Sequence, residues 1–233
     1  MIRPNIIKII CHDIGKHLGC YGVKSLSTST IDYLAKEGIL FNNAFATSPG
    51  CSPSRAAIAT GRYPHNTGVL GLAHAHFGWS LDKKIKHIAK YFSSNDYNSI
   101  LFGLQHVTYH EETLGFKKIF PERPADHVIK NIEDNIDTKL FKKPFYAEVN
   151  FFEPHRPFDY GGVKPFRSKG VFIPKYIPNN LNIKKEFEAM QGAIKKMDES
   201  VGKIINILKK KGLYENTIII FTTDHGIPFP RAK

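Results

Sequence analysis

Residues 217–226 read Thr217-Ile218-Ile219-Ile220-Phe221-Thr222-Thr223-Asp224-His225-Gly226. Seven consecutive β-branched or aromatic residues, closed by a polar cluster and a glycine, predict a strand over Thr217–Thr223. Ile6–Cys11 is a second such run, nearly continuous in apolar residues as a strand buried on both faces must be, and it opens directly into His12-Asp13. Ser99–Leu104 and Phe145–Phe152 are predicted as strands too, followed by Gln105-His106 and by Glu153-Pro154-His155-Arg156. A further strand is expected over Ile39–Phe45.

Helical patterns separate these runs. Thr30–Glu37 puts Ile31, Leu34 and Ala35 on one face, with hydroxyl residues ahead and Gly38 behind. Asp82–Phe92 does so with Ile85, Ile88 and Ala89. From Ile183 to Leu208, Phe187, Met190, Ile194, Met197, Val201, Ile204 and Leu208 form one apolar stripe, the pattern of core packing. Strands alternating with helices imply right-handed parallel crossovers, so the expected fold is α/β: a mostly parallel sheet sandwiched by helices, in one domain over residues 1–233. Residues 62–80 and 153–182 lack periodicity and are rich in Gly, Pro, His and aromatics. Loops this long in a compact domain usually carry function.

Ligands of open α/β sheets bind beyond the carboxyl ends of the strands. Four predicted strand ends deliver His12-Asp13, His106, His155 and Asp224-His225 to that edge. A lone histidine there is more often a structural hydrogen-bonder than a ligand. Four clusters at equivalent positions are harder to explain that way, and two carboxylates from separate strands with imidazoles beside them make a divalent metal site.

Composition narrows the classes. The 233 residues are 42% hydrophobic and 23% charged, which excludes a disordered or fibrous chain. No apolar run reaches the roughly 20 residues that span a bilayer, and the N-terminus does not read as a cleavable signal peptide. No membrane partner is expected, and the cytoplasm is the expected compartment. Three cysteines cannot all pair, which fits reducing conditions. The net charge of +12 comes from scattered lysines without a focused basic stripe, so attraction to anions is expected and nucleic-acid binding is not.

Cys51-Ser52-Pro53-Ser54-Arg55 begins another predicted helix, with Ser52 as its cap, Pro53 in the first turn and Gly61 at its end. Cys51 then sits at a helix N-terminus, where free N–H groups favour an anion, and Arg55 lies one turn inside. A nucleophile, an arginine and a helix N-terminus make an oxyanion-binding site; a buried apolar cysteine beside a surface arginine is the plainer alternative.

The string Cys51-Ser-Pro-Ser-Arg55 with Thr60-Gly61-Arg62 resembles the signature of the sulfatase family, within the alkaline-phosphatase superfamily. His12-Asp13 with Leu18-Gly19-Cys20-Tyr21-Gly22 is similar to the family's first metal-binding stretch, Gly103-Leu104-Gln105-His106 to its mid-domain Gly-Lys-x-His segment, and Thr223-Asp224-His225-Gly226 to its second metal-binding stretch. The run from Asp224 to Pro230 with Lys233 most resembles the heparan N-sulfatase-like subgroup.

The resemblance implies hydrolysis of sulfate esters or sulfamates, on a sulfated small molecule or glycan. Its nucleophile would be the formylglycine that a maturation enzyme makes from Cys51, assisted by a divalent metal, calcium in much of the family. Asp13, Asp224, His225 and His12 would hold the metal. Arg55 would hold the nucleophile, and His106, His155 and Lys233 would bind sulfate or protonate the leaving group. Three departures stand out. His12 replaces the usual first Asp and Leu104 the mid-domain lysine, and the chain stops before the family's later strands and smaller C-terminal domain, so an incomplete sheet is expected. A phosphate or phosphonate ester hydrolase of the same superfamily, an inactive fragment and a basic polyanion-binding protein are the alternatives.

Overall fold

The structure is a computed structural model that describes residues 3–137 and 139–233. Five strands, β1 (Asn5–Cys11), β2 (Asn98–Gly103), β3 (Lys118–Phe120), β4 (Phe145–Asn150) and β5 (Thr217–Thr223), form one sheet in the order β3-β2-β4-β1-β5. Every pairing is parallel, as the alternation of runs requires. The helices are α1 (Ser29–Glu37), α2 (Cys51–Thr60), α3 (Ile88–Ser93), α4 (Ala125–Asn135) and α5 (Leu181–Lys210).

The main core lies on one face of the sheet. Ile7, Ile9 and Cys11 of β1, Ile100 and Phe102 of β2, and Phe145, Ala147 and Val149 of β4 meet the stripe of α5, with Val128, Ile129 and Ile132 of α4 and Ile31 of α1. Each fully buried aliphatic side chain here contributes on the order of 1.5–3 kcal/mol. On the opposite face, which α3 covers, Tyr146 packs with Ala89, Phe92 and Phe116. That face also buries an ion pair, Lys8 Nζ to Glu148 Oε2 at 2.8 Å, joining partner positions of β1 and β4.

Several expectations are corrected. Residues 39–45 form no strand; they are irregular, with Ile39, Phe41 and Phe45 exposed, because their apolar side chains find no sheet neighbour. The helix expected from Asp82 begins only at Ile88: residues 82–87 run through a turn, and the His87 side chain caps α3 by accepting from Ala89 N at 3.1 Å. Strand β3 and helix α4 were not expected at all. Ser52 does not cap α2, which starts at Cys51 with Gly50 at its cap; the Ser52 hydroxyl accepts from Ala73 N instead. Gly61 does end that helix, at φ 67°.

The hydroxyl ahead of α1 is not its cap either. Thr28 bonds Asp32 and Gly19 N, while Asp198 of α5 accepts from Thr30 N and Ile31 N at 3.2 and 2.8 Å, so the long helix caps the short one.

Candidate active site

Strands β1 and β5 pair through Cys11 and Thr223, so His12-Asp13 and Asp224-His225 leave adjacent strand ends in step. Hydrogen bonds fasten the two exits together. Asp224 N donates to Cys11 O, Asp13 N donates to Asp224 Oδ1 at 3.1 Å, and Gly15 N donates to His225 O. Asp13 takes a left-handed backbone at φ 54°, as does His106 at φ 59° beyond β2. Such conformations cost a non-glycine residue on the order of 1–3 kcal/mol and gather at functional sites.

Helix α2 brings the third component. Apart from Arg55 its inner residues are small, and Cys51 through Ala57 are all buried. The Ser54 hydroxyl donates a short hydrogen bond to Asp224 O, which fixes the helix N-terminus against the end of β5. Cys51 Sγ then stands 3.2 Å from His225 Nε2 and 3.7 Å from Lys233 Nζ. Lys233 Nζ also reaches Asp13 Oδ1 at 2.9 Å, and His225 Nδ1 lies 3.3 Å from the same oxygen and 3.0 Å from Gly226 O.

Asp224 is the hub. Its Oδ2 meets Arg55 Nε at 3.1 Å and lies 3.0 Å from His12 Nδ1, and its Oδ1 lies 3.5 Å from His225 Nε2. Burial alone would raise this carboxyl, yet Arg55 and His12 outweigh it and hold Asp224 well below the usual carboxylate range. Burial, reinforced by Asp224, pushes the Cys51 thiol up to about 11, with Lys233 opposing. Burial lowers His12 to about 4 and His106 to about 2, with Arg55 adding to both, so both imidazoles are neutral near pH 7. Burial would lower Lys233 too, but its ion pair with Asp13 raises it, and the ammonium persists.

The sequence-predicted residues thus meet in one place. Cys51, Arg55, Asp13, Asp224, His225 and Lys233 form one chain of contacts, and the His12 ring packs 5.0 Å from His155 and 5.5 Å from His106. His155 Nε2 is 3.9 Å from Asp13 Oδ2. Sequence reasoning missed His74, whose ring lies tilted against that of His106 with centroids 4.6 Å apart; its only signal is the repeated His74-Ala-His76 in the long loop.

The donors suit a divalent cation. Asp13 Oδ2 is buried without a hydrogen-bond partner, and His12 is fully buried with neither ring nitrogen in hydrogen-bond alignment, the 3.0 Å approach to Asp224 included. Ligand atoms of His12, Asp13 and Asp224 lie within 4.8 Å of one another. The Arg55 terminal nitrogens are buried and unpaired as well. A guanidinium anchored through Nε alone keeps two donors for an oxyanion.

A parallel sheet that collects carboxylates, imidazoles and a helix-borne cysteine at its carboxyl ends defines an α/β protein of the alkaline-phosphatase-like class. Within that class, the chain belongs to the sulfatase family, whose model matches residues 4–232. It is 27% identical to human N-sulphoglucosamine sulphohydrolase over 99% of this chain and 52% of that protein. Among solved structures it resembles a 2-O GAG sulfatase, with a TM-score of 0.74 at 22% identity over 96% of this chain and 58% of that one. It also resembles the phosphonate monoester hydrolase of Agrobacterium radiobacter, with a TM-score of 0.70 at 21% identity over 96% and 63%. The chain spans about half the length of the curated relatives it matches. Among the described residues, no helix is long and apolar enough to cross a membrane.

Proposed function

We propose that this chain carries the nucleophile-bearing part of a catalytic domain that hydrolyses sulfate esters or sulfamates of sulfated sugars, with position 51 in the formylglycine form. One observation carries the reading: Cys51 stands at the N-terminus of α2 between His225, Lys233 and the acids Asp13 and Asp224, while its thiol is held protonated. A protonated thiol is a poor nucleophile, so this setting suits a residue whose sulfur is replaced before catalysis. The hydrated aldehyde of formylglycine supplies one hydroxyl for attack on sulfur and a second that expels sulfate. The N-sulphoglucosamine relative favours a sulfated sugar as substrate.

The chain's own residues take defined parts. If His225 Nδ1 donates to Gly226 O, Nε2, 3.2 Å from the Cys51 Sγ that formylglycine replaces with oxygen, keeps its lone pair for a cation beside residue 51. Arg55 and Lys233 place fixed positive charge where the sulfate oxygens gather. His155, on the open side of the site, is the donor to the leaving group. His106 stays neutral and contributes an N–H hydrogen bond rather than a cationic proton source. His12, Asp13, Asp224 and His225 would hold a divalent cation, which supplies polarisation of the sulfate oxygens. Calcium, expected from the family, takes six to eight oxygen ligands; two carboxylates and two imidazoles supply few of them.

The test is coexpression with a maturing enzyme, mass analysis of the peptide holding Cys51, and turnover of an aryl sulfate. Loss of the thiol with turnover that disappears in Cys51→Ala is the expected result. A Cys51 still fully alkylated after coexpression overturns the reading. The phosphonate hydrolase likeness supports a second reading, ester hydrolysis at phosphorus, and faster turnover of an aryl phosphate or phosphonate than of the sulfate would establish it instead.

A further inference from the structure

Before any conversion, residue 51 is a cysteine among imidazoles. One ligand atom each from His12, Cys51 and His155 lie within 4.8 Å of one another, and so do those of Asp13, Cys51 and His225. Cys51 is the member common to both groups. His12 is wholly buried; its Nδ1 lies 3.0 Å from Asp224 Oδ2 while its Nε2 has no partner, and a buried ring nitrogen left so costs free energy unless something else fills the coordination.

We propose that the unconverted chain binds a zinc-class ion through Cys51 Sγ and the imidazoles of His12 and His155, a site that conversion of Cys51 abolishes. Zinc bonds of about 2.3 Å to sulfur and about 2.0–2.1 Å to nitrogen put tetrahedral ligand atoms about 3.3–3.8 Å apart, so these three atoms need only small side-chain rotations to close on it. A thiolate with imidazoles selects zinc, cobalt or copper over calcium and magnesium, which prefer oxygen. Binding replaces the thiol proton with the metal, and that proton goes to solvent. The Lys233 ammonium, 3.7 Å from Sγ, offsets the thiolate charge, and Asp13 Oδ2, 3.9 Å from His155 Nε2, accepts a fourth-position water.

The consequence is a choice between two fates for one side chain. A metal-capped sulfur is withheld from the maturation enzyme, and a converted residue 51 has no sulfur to offer the metal. The site needs only the thiol form and not sulfatase turnover, so it can fail while the hydrolase reading stands, and the reverse.

Cobalt(II) is the probe, added to the full 233-residue chain expressed without a maturing enzyme. One equivalent should bind with an intense near-ultraviolet sulfur-to-cobalt charge-transfer band. The band should be lost in Cys51→Ser and kept in Cys20→Ser. Zinc should displace cobalt, and the apparent zinc affinity of Cys51→Ser should fall about 100-fold, one ligand's share of a structural zinc site. Should Cys51→Ser fold poorly, iodoacetamide labelling of the unaltered chain serves: one equivalent of zinc must slow alkylation of Cys51 at least tenfold while leaving Cys20 unchanged. Cobalt binding without the sulfur band, a band that survives in Cys51→Ser, unslowed labelling, or no binding at all overturns the proposal.

Discussion

Replacing Lys8 with Met should cost this fold as much as a large core truncation, although Met fills nearly the same volume. Lys8 and Glu148 are 6% and 3% exposed and pair at 2.8 Å across β1 and β4. Glu148 also accepts from Tyr146 Oη at 2.7 Å and Asn150 Nδ2 at 3.2 Å. Burial would raise the Glu148 carboxyl, but Lys8 and His87 outweigh it and bring it from 4.5 to about 2. That depression is worth about 3 kcal/mol at neutral pH. A folded-state pKa below the unfolded one gives stability that is complete above about 4.5 and drains away as the pH falls towards 2. Without Lys8, burial dominates and leaves an uncompensated buried charge, so Lys8→Met should lose about 3–5 kcal/mol at pH 7. The deficit should shrink in acid, where Glu148 takes a proton. Lys8→Met/Glu148→Gln keeps a neutral acceptor for the tyrosine and should recover most of the loss, to within about 1–2 kcal/mol of the unaltered chain. Equilibrium urea unfolding at pH 7 and pH 5 measures all three chains. A double variant no more stable than Lys8→Met, or a single variant within 1 kcal/mol of the parent, would show that the pair is not an isolated charge balance and refute the reasoning.

Other outcomes follow from the same geometry. Arg55→Lys keeps a cation but loses the fork that holds Asp224 while presenting two free nitrogens, so turnover by the converted enzyme should drop about 10²–10³-fold in steady-state assays. Gly103→Ala would put a Cβ 1.8 Å from Asn150 O at a residue with φ 87°, and should unfold at urea concentrations far below the parent's. Asp198→Ala removes the cap that α5 lends to α1 and should cost about 1–2 kcal/mol in the same assay, with hydrogen exchange rising first at Thr30 and Ile31.

What the amino-acid order revealed, and what it hid, both have physical causes. Strand β1 declares itself because burial on both faces demands a continuous apolar run, β5 through seven β-branched or aromatic residues in a row, and the polar residues that end those runs mark the site directly. Strand β3 has three residues, Lys118-Ile119-Phe120, too few for any period. Helix α4 carries the spacing Val128, Ile129, Ile132, Ile136 after Pro124, a helical signal of the same kind as the stripe of α5. Ile39–Phe45 shows the opposite error: apolar residues predict burial only where a neighbouring element exists to receive them. Asp198 could not have been found as a cap for α1, since it lies 167 positions away from Ile31. At the site, residue types and order were legible, whereas the left-handed backbones of Asp13 and His106 and the insertion of His74 depend on three-dimensional crowding that no local pattern encodes.

The coupling of the acids through β1 and β5 has an operational meaning. Asp13 and Asp224 do not stand on independent supports; each is held by bonds to the strand that carries the other. β5 pairs with β1 along all seven of its residues, so the two acids keep their spacing only while that pairing holds. Parting these two strands would scatter the histidine beside residue 51 and both acids together. Chemistry here can be silenced by peeling away a single ribbon, with no reactive group altered.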